Sequence, residues 1–298
     1  MAQKILSNPY KRQDVFRCFH ETHKGFGSVV SAYHVLEEKH CYPAGCLWFA
    51  WRCRKIGKRH GCPRGFGHVG RECFSCPEFY EERVIHRPEV ALPGAEFEAF
   101  SEEVREFRWW LSKNLGRRIP FQGVVSAVKP RFSVNQGRRR EHLSLSGFLL
   151  GFRNGFFGNS LMEDRFYGIA GDGLIQRLGI VPETELEGEA VLAMDRGRLI
   201  LERLSRLEVL SRGEGEPWTK SEALVSRATA AVFSGQPERC FACSKGALLD
   251  VWDEDQSLRH RMACLDGRPE PKDCSFRAEQ EIQIERCAEE EDKTFQNS

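Results

Sequence analysis

Apolar residues recur at three- and four-residue steps over 95–113, where Phe97, Phe100, Val104, Phe107 and Leu111 mark one face of a helix. Trp109 and Trp110 are expected to widen that face, and Gly116 to stop the helix ahead of Arg117 and Arg118. Val29, Val30, Tyr33 and Leu36 give a second such stripe and predict a helix from Ser28 to Lys39. Between 119 and 213 the pattern turns to β. Strands are predicted over Phe121 to Val134, with Pro130 at a bulge or an edge, over Leu143 to Phe152, and over Arg165 to Ala170. Asn154-Gly155 reads as a hairpin turn into Phe156 and Phe157. A short helix over Asp172 to Leu178 comes next, then strands Glu189 to Met194 and Arg198 to Leu210 around the turn Asp195-Arg196-Gly197. Residues 217–233 are helical again, with a capping box at Thr219-Lys-Ser-Glu222 ahead of the apolar positions Leu224, Val225, Ala228 and Val232.

The order three strands, short helix, two strands, with Leu186-Glu187-Gly188-Glu189 leading into the fourth strand, resembles the OB-fold, a five-stranded Greek-key barrel. The likeness covers about a third of the chain and includes no ligand motif. It implies a barrel that binds single strands through its second and third strands and the flanking loops, stacking bases on aromatics. Phe148, Phe152, Phe156, Phe157, Phe166 and Tyr167 supply aromatics in that region, most of them destined for the core by strand alternation.

The remaining segments are less regular. From Cys41 to Cys76, Pro43, Gly45, Gly57, Gly61, Pro63, Gly65, Gly67 and Gly70 break any long element, so something besides apolar packing is expected to order the segment. The expected organisation is a Cys/His-rich module over 1–90, a linking helix over 91–118, the barrel over 119–213, a helix with a second Cys module over 214–287, and an acidic, disordered tail over 288–298. The fold class is therefore α+β, mainly β: a central OB-like five-stranded barrel with irregular Cys-rich metal modules at both ends and linking helices.

Composition adds two points. No apolar run approaches the roughly 20 residues that cross a bilayer, and the first residues lack the apolar core of a secretory signal, so a cytoplasmic, reducing setting without membrane contact is expected. The net charge of +1 hides a gradient. Lys and Arg outnumber Asp and Glu over 1–90, and the reverse holds over 214–298. That asymmetry points to a polyanion at the basic end and to a protein partner for the acidic one, or simply to two ends that keep the chain in solution.

The 12 cysteines fall in two clumps, from Cys18 to Cys76 and from Cys240 to Cys287. Thiols in a reducing compartment rarely serve as disulfide staples, so each clump suggests metal binding. At the C-terminal end, Cys240-Phe-Ala-Cys243 forms a knuckle, and Cys264 with Cys274 completes a four-cysteine set for Zn2+, leaving Cys287 over. At the N-terminal end, Cys73-Phe-Ser-Cys76 is a knuckle, to which Cys62 and Cys46 add two ligands. Cys18, Cys41, Cys53, His20, His23, His40, His60 and His68 are alternatives, and Cys18-Phe-His20-Glu-Thr-His23 is able to form a separate site with Cys41. Zn2+ or a 4Fe-4S cluster suits this end, the Cys62-Pro63 and Cys76-Pro77 steps echoing ferredoxin runs.

Cationic candidates for single-stranded DNA or RNA are Arg54, Lys55, Lys58 and Arg59 beside Trp48, Phe49 and Trp51, Lys129 and Arg131 in the first barrel strand, and Arg138, Arg139 and Arg140 in its first loop. No phosphate-cradling Gly-x-x-x-x-Gly-Lys, His-Glu-x-x-His or Gly-x-Ser-x-Gly motif occurs. The expectation is a metal-stabilised, non-enzymatic binding protein for single-stranded nucleic acid. The alternatives are an iron–sulfur redox protein and a structural scaffold subunit.

Overall fold

The computed structural model describes residues 4–20, 23, 29–56, 61–136, 141–233, 236, 238–252, 258–268 and 274. In chain order its strands are β1 (Lys4–Leu6), β2 (Phe16–Arg17), β3 (Val29–Val30), β4 (Cys46–Cys53), β5 (Phe79–His86) and β6 (Glu89–Val90), followed by helix α1 (Gly94–Asn114). Then come β7 (Arg118–Gln136), β8 (Glu141–Phe157), β9 (Ser160–Met162), β10 (Phe166–Ala170), α2 (Asp172–Leu178), β11 (Glu185–Asp195) and β12 (Arg198–Ser211). The chain ends its described elements with α3 (Lys220–Ala228), β13 (Ala231–Phe233), α4 (Glu238–Ala242), β14 (Gly246–Trp252) and β15 (Leu258–Cys264). The protein mixes both element types, with strand outweighing helix. None of the described helices is long and apolar enough to cross a membrane.

Two compact units result. One comprises Ser7–Lys113 with Met194–Arg198, the tip of the β11–β12 hairpin. Its core is aromatic. α1 buries Phe100, Val104, Phe107, Trp110 and Leu111, the face expected from the spacing, while Trp109 points outward at 59% exposure, against expectation. Phe16 meets Phe97 and Phe100 edge-on at 6.0 and 6.1 Å, and Tyr10 meets Phe107 at 5.3 Å. The Tyr10 hydroxyl donates to Glu37 at 2.7 Å, and burial together with that carboxylate raises its pKa. The helix expected over Ser28 to Lys39 is shorter than its stripe. The β-branched pair Val29–Val30 joins β2 as a strand, and a π-helical turn follows at His34–Glu38.

The other unit contains β1, Asn114–Ala193 and the described residues from Leu199 on. Its centre is a closed ring of five strands in the order β7-β8-β10-β12-β11, returning to β7. All neighbours with described register are antiparallel except β10 and β12, which run parallel through Tyr167↔Ile200 and Gly168↔Leu201. α2 sits between β10 and β11 in sequence, as expected.

The hairpin predicted at Asn154-Gly155 is absent. β8 runs straight through those residues to Phe157, and the chain reverses at Gly158, whose φ is +58°, so that Phe157 pairs with Ser160. Gly155 instead lies opposite Gly123, where a Cβ would overlap the Gln122 carbonyl and the Phe166 ring. A glycine pair at this crossing lets two long strands bend together, which a turn signal in the sequence does not distinguish from a reversal. Pro130 lies beside a register irregularity at Arg131/Phe132.

The C-terminal block extends the ring. β14 runs parallel to β7, Leu248 opposite Arg131, and β15 and β13 follow antiparallel. The capping box that starts α3 forms as expected: the Thr219 hydroxyl accepts the Glu222 N–H at 3.2 Å and the Glu222 carboxylate accepts the Thr219 N–H at 2.9 Å. These bonds also hold the Glu222 carboxyl below its usual pKa. Thr219→Ala is expected to lower stability by about 1 kcal/mol in urea melts, with serine restoring it.

Candidate metal centres and basic surfaces

The C-terminal thiols are built from the end of α4 and the starts and ends of two strands. Cys240 lies in α4 and Cys243 follows it, the Cys243 N–H donating to Arg239 O at 3.0 Å. The chain then turns, Gly246 N–H to Cys243 O at 3.1 Å, and enters β14. Only glycine fits this turn, because a Cβ at Gly246 would overlap the Cys240 carbonyl. Gly246 pairs with Cys264, so the last residue of β15 stands beside the knuckle. The Lys245 N–H points at Cys243 Sγ at 3.4 Å. Burial raises the Cys240 pKa, Arg239 opposes the rise, and Cys243, Cys274 and Cys264 add to it through like charge. The other three expected thiols therefore lie within electrostatic reach of Cys240. Among the described residues, no three His, Cys, Asp or Glu side chains are arranged closely enough to hold an ion. Cys287 lies outside the described residues.

At the N-terminal end the expected set is divided. β4 and β5 form a two-stranded antiparallel ribbon in which Cys46 pairs with His86 at one end and Cys53 with Phe79 at the other. Seven strand steps separate Cys46 from Cys53, about 23 Å at roughly 3.3 Å per residue. Cys76 belongs to the Cys53 end, since the Phe79 N–H donates to its carbonyl at 3.0 Å, and a 3-10 turn with Cys76 N–H on Cys73 O at 2.9 Å holds the Cys73–Cys76 knuckle. Cys62 is tied there by Arg64, whose guanidinium donates to Glu72 O at 3.0 Å. The backbone therefore brings Cys53, Cys73 and Cys76 to one end of the ribbon, with the Cys62 segment linked to it through Arg64, and puts Cys46 at the other end.

Backbone geometry at these thiols resembles that of the C-terminal knuckle. The Lys55 N–H points at Cys53 Sγ at 3.5 Å, and backbone N–H groups of Phe66 and Arg64 lower the Cys62 pKa. Amides aimed at sulfur favour the thiolate, the form that ligates metal. Cys53 was only an alternative in the sequence reading. The signal that points to it is the short continuous apolar run Leu47-Trp48-Phe49-Ala50-Trp51, rich in aromatics, in a segment otherwise poor in period, which makes a strand and carries Cys46 and Cys53 to opposite ends.

The basic candidates scatter. Arg54 donates to Pro77 O at 3.3 Å and lies over the Tyr80 ring, and Lys55 pairs with Glu78 at 3.3 Å. Lys129 is buried. Its ammonium donates to Phe241 O and sits over the rings of Tyr167 and Phe241, so it is a core residue and not a phosphate contact. Arg131 pairs with the buried Asp250 at 2.6 Å, and Asp250 in turn meets His260 at 2.7 Å. Lys58, Arg59, Arg138, Arg139 and Arg140 lie outside the described residues.

The ring face expected to meet bases is covered. Along β8, β10 and β12, Leu149, Tyr167 and Ile200 point one way and pack under Phe241, Leu248 and Met262 of the C-terminal block. Phe148, Phe152 and Phe166 are buried as well, with Phe152 stacked on Phe166 at 4.8 Å. Phe156 alone of the expected aromatics is half-exposed. The β4–β5 ribbon exposes Phe49 and Trp51 on one face, with Phe74 edge-on to Trp51 at 4.8 Å; Tyr80 on β5 and, elsewhere, Phe19, Trp109 and Trp252 are exposed as well. Arg83 is the cross-strand neighbour of Phe49. Compared with family models, curated proteins and solved structures, the chain matches none.

Proposed function

We propose that the protein is a non-enzymatic, metal-stabilised binder of single-stranded nucleic acid, and that its binding surface is the β4–β5 ribbon. The ring order, its one parallel pairing and the helix between its third and fourth strands support reading it as an OB-like barrel. The C-terminal block covers the ring's β8–β10–β12 face, so in this reading the barrel serves as a scaffold. Zn2+ in the Cys240, Cys243, Cys264 and Cys274 set orders that block, and a second thiolate-bound ion at Cys53, Cys62, Cys73 and Cys76 orders the loops at one end of the ribbon.

The observation that carries the binding assignment is the exposed aromatic row Phe49, Trp51 and Phe74. Arg83 stands across the strands from Phe49 and Arg71 lies in the turn before Phe74, while Arg52 is paired with Glu82 at 2.7 Å. Aromatic faces stack on any base and guanidinium groups meet phosphates, which is the combination that binds single strands without sequence preference. Anisotropy of labelled oligo-dT and oligo-U in rising salt tests it. Affinity is expected to fall linearly on a log–log plot as counterions are released. Phe49→Ala and Trp51→Ala are each expected to remove about 1–3 kcal/mol of stacking, a loss of roughly 5- to 150-fold. Binding that is absent, or that ignores both salt and the two substitutions, rejects the reading.

A further inference from the structure

On the aromatic face of the β4–β5 ribbon, one residue does not suit a surface that only stacks bases and meets phosphates. The antiparallel register puts Arg83 across from Phe49 and Glu81 across from Trp51. Directly opposed residues share a face, with Cβ atoms about 4.5–5.5 Å apart, so the four side chains stand together. Phe49 is 54% and Trp51 40% exposed, and Glu81 and Arg83 are exposed too. A carboxylate beside the stacking rings repels a phosphate chain, yet Glu81 lies within the row.

The charges on the two faces of the ribbon are used differently. On the opposite face Arg52 and Glu82 neutralise each other at 2.7 Å. On the aromatic face neither Glu81 nor Arg83 has a hydrogen-bond or ion-pair partner among the described residues, and the two do not pair with each other. Two strand positions separate them, about 6.6 Å along β5, close to the length of a purine's hydrogen-bonding edge. Phe74, edge-on to Trp51 at 4.8 Å, braces the ring on which such a base would rest.

We propose that Glu81 and Arg83 read guanine, which gives the ribbon a preference for single strands that carry it. This rests on the reading of the ribbon as the nucleic-acid surface and adds a base preference to its sequence-tolerant stacking. A base stacked on Phe49 or Trp51 of β4 carries its edge across to β5. Guanine alone sets two acceptors, N7 and O6, next to two donors, N1–H and the N2 amine. The Arg83 guanidinium donates two parallel bonds to N7 and O6, and the Glu81 carboxylate accepts two from N1 and N2. Adenine turns its N6 amine toward the guanidinium and its N1 acceptor toward the carboxylate. Cytosine, thymine and uracil each offer only one donor group on that edge.

Anisotropy of the full chain at one fixed salt concentration tests this. The probes are a short labelled oligo-dT, the same strand with one central guanosine, and strands with inosine or 7-deazaguanosine at that position. The guanosine strand is expected to bind at least about 5-fold tighter than oligo-dT, the low end for one bidentate pair. Inosine, which lacks the N2 amine, and 7-deazaguanosine, which lacks N7, each lose much of that gain. Glu81→Gln is expected to abolish the difference between guanosine and inosine while oligo-dT binds as tightly as before or more so. Arg83→Gln is expected to abolish the difference between guanosine and 7-deazaguanosine. Both positions are exposed, so neither substitution disturbs a core. Oligo-dT binding without any preference for guanosine, or a preference that survives in both variants, overturns this inference and leaves the proposed function standing. Binding to neither strand overturns both.

Discussion

Replacing Cys264 by serine, or chelating the Zn2+ proposed for the C-terminal thiols, is expected to loosen the block that contains α4 and β13–β15 and to lower the melting midpoint sharply. Cys264 ends β15 beside Gly246, so it joins the knuckle to the strand pair. Structural Zn2+ contributes an apparent 10–16 kcal/mol in small modules, or about ten times a typical neutral hydrogen bond. The apolar contacts of the block share the work: Phe241, Leu248 and Met262 pack against Leu149, Tyr167 and Ile200 of the ring at about 1.5–3 kcal/mol each, and Leu249 and Val251 are buried as well. Packing alone is therefore expected to leave the block partly attached. A net loss of even 5 kcal/mol moves the midpoint of a domain this size by about 10–20 °C. The check is a calorimetric scan of Cys264→Ser beside the unaltered protein, with metal content measured on both. An unchanged midpoint with one fewer ion would show that the ion plays no structural part, and an unchanged ion count would show that Cys264 is not a ligand.

Phe241→Ala is expected to be among the most damaging substitutions outside the cysteines, at about 3–5 kcal/mol in urea unfolding. Phe241 is 1% exposed, and its ring meets Tyr167 edge-on at 4.6 Å. The same ring carries the Lys129 ammonium 5.1 Å from its centroid, and the Phe241 carbonyl accepts from that ammonium. Removing the ring therefore opens a cavity and weakens the support of a buried charge, against a total stability of only about 5–15 kcal/mol. Lys129→Met separates the two effects. It keeps the length of the side chain and removes the charge, so the double substitution is expected to cost less than the two single losses added, by at least about 0.5 kcal/mol. A cost below about 1 kcal/mol for Phe241→Ala, or strict additivity with Lys129→Met, would contradict this account of the contact.

Legibility varied along the chain for physical reasons. α1, α2, the ring strands and the Thr219 capping box could be read because each rests on local rules: a 3.6-residue stripe, a period of two, a side chain reaching its own helix start. Asn154-Gly155 misled because the glycine that permits a turn also permits a close strand crossing, and the neighbour across the sheet selects between them. Lys129 and Tyr167 misled in the same way. A cation and an aromatic on a barrel strand suit a base and a phosphate as well as they suit Phe241, which lies 112 residues from Lys129.

The cysteine spacing by itself determined that thiols gather at both ends of the chain, and the alternation over 119–213 determined a run of strands able to close on itself. Only the tertiary structure decided that Cys46 and Cys53 stand at opposite ends of one ribbon, that the C-terminal block lies over the β8–β10–β12 face of the ring, and that Phe49, Trp51 and Phe74 are left exposed close together. Periodicity reports which way a side chain points relative to its own backbone. What it points at is set by strand register and by packing between segments far apart in sequence, and neither leaves a local mark.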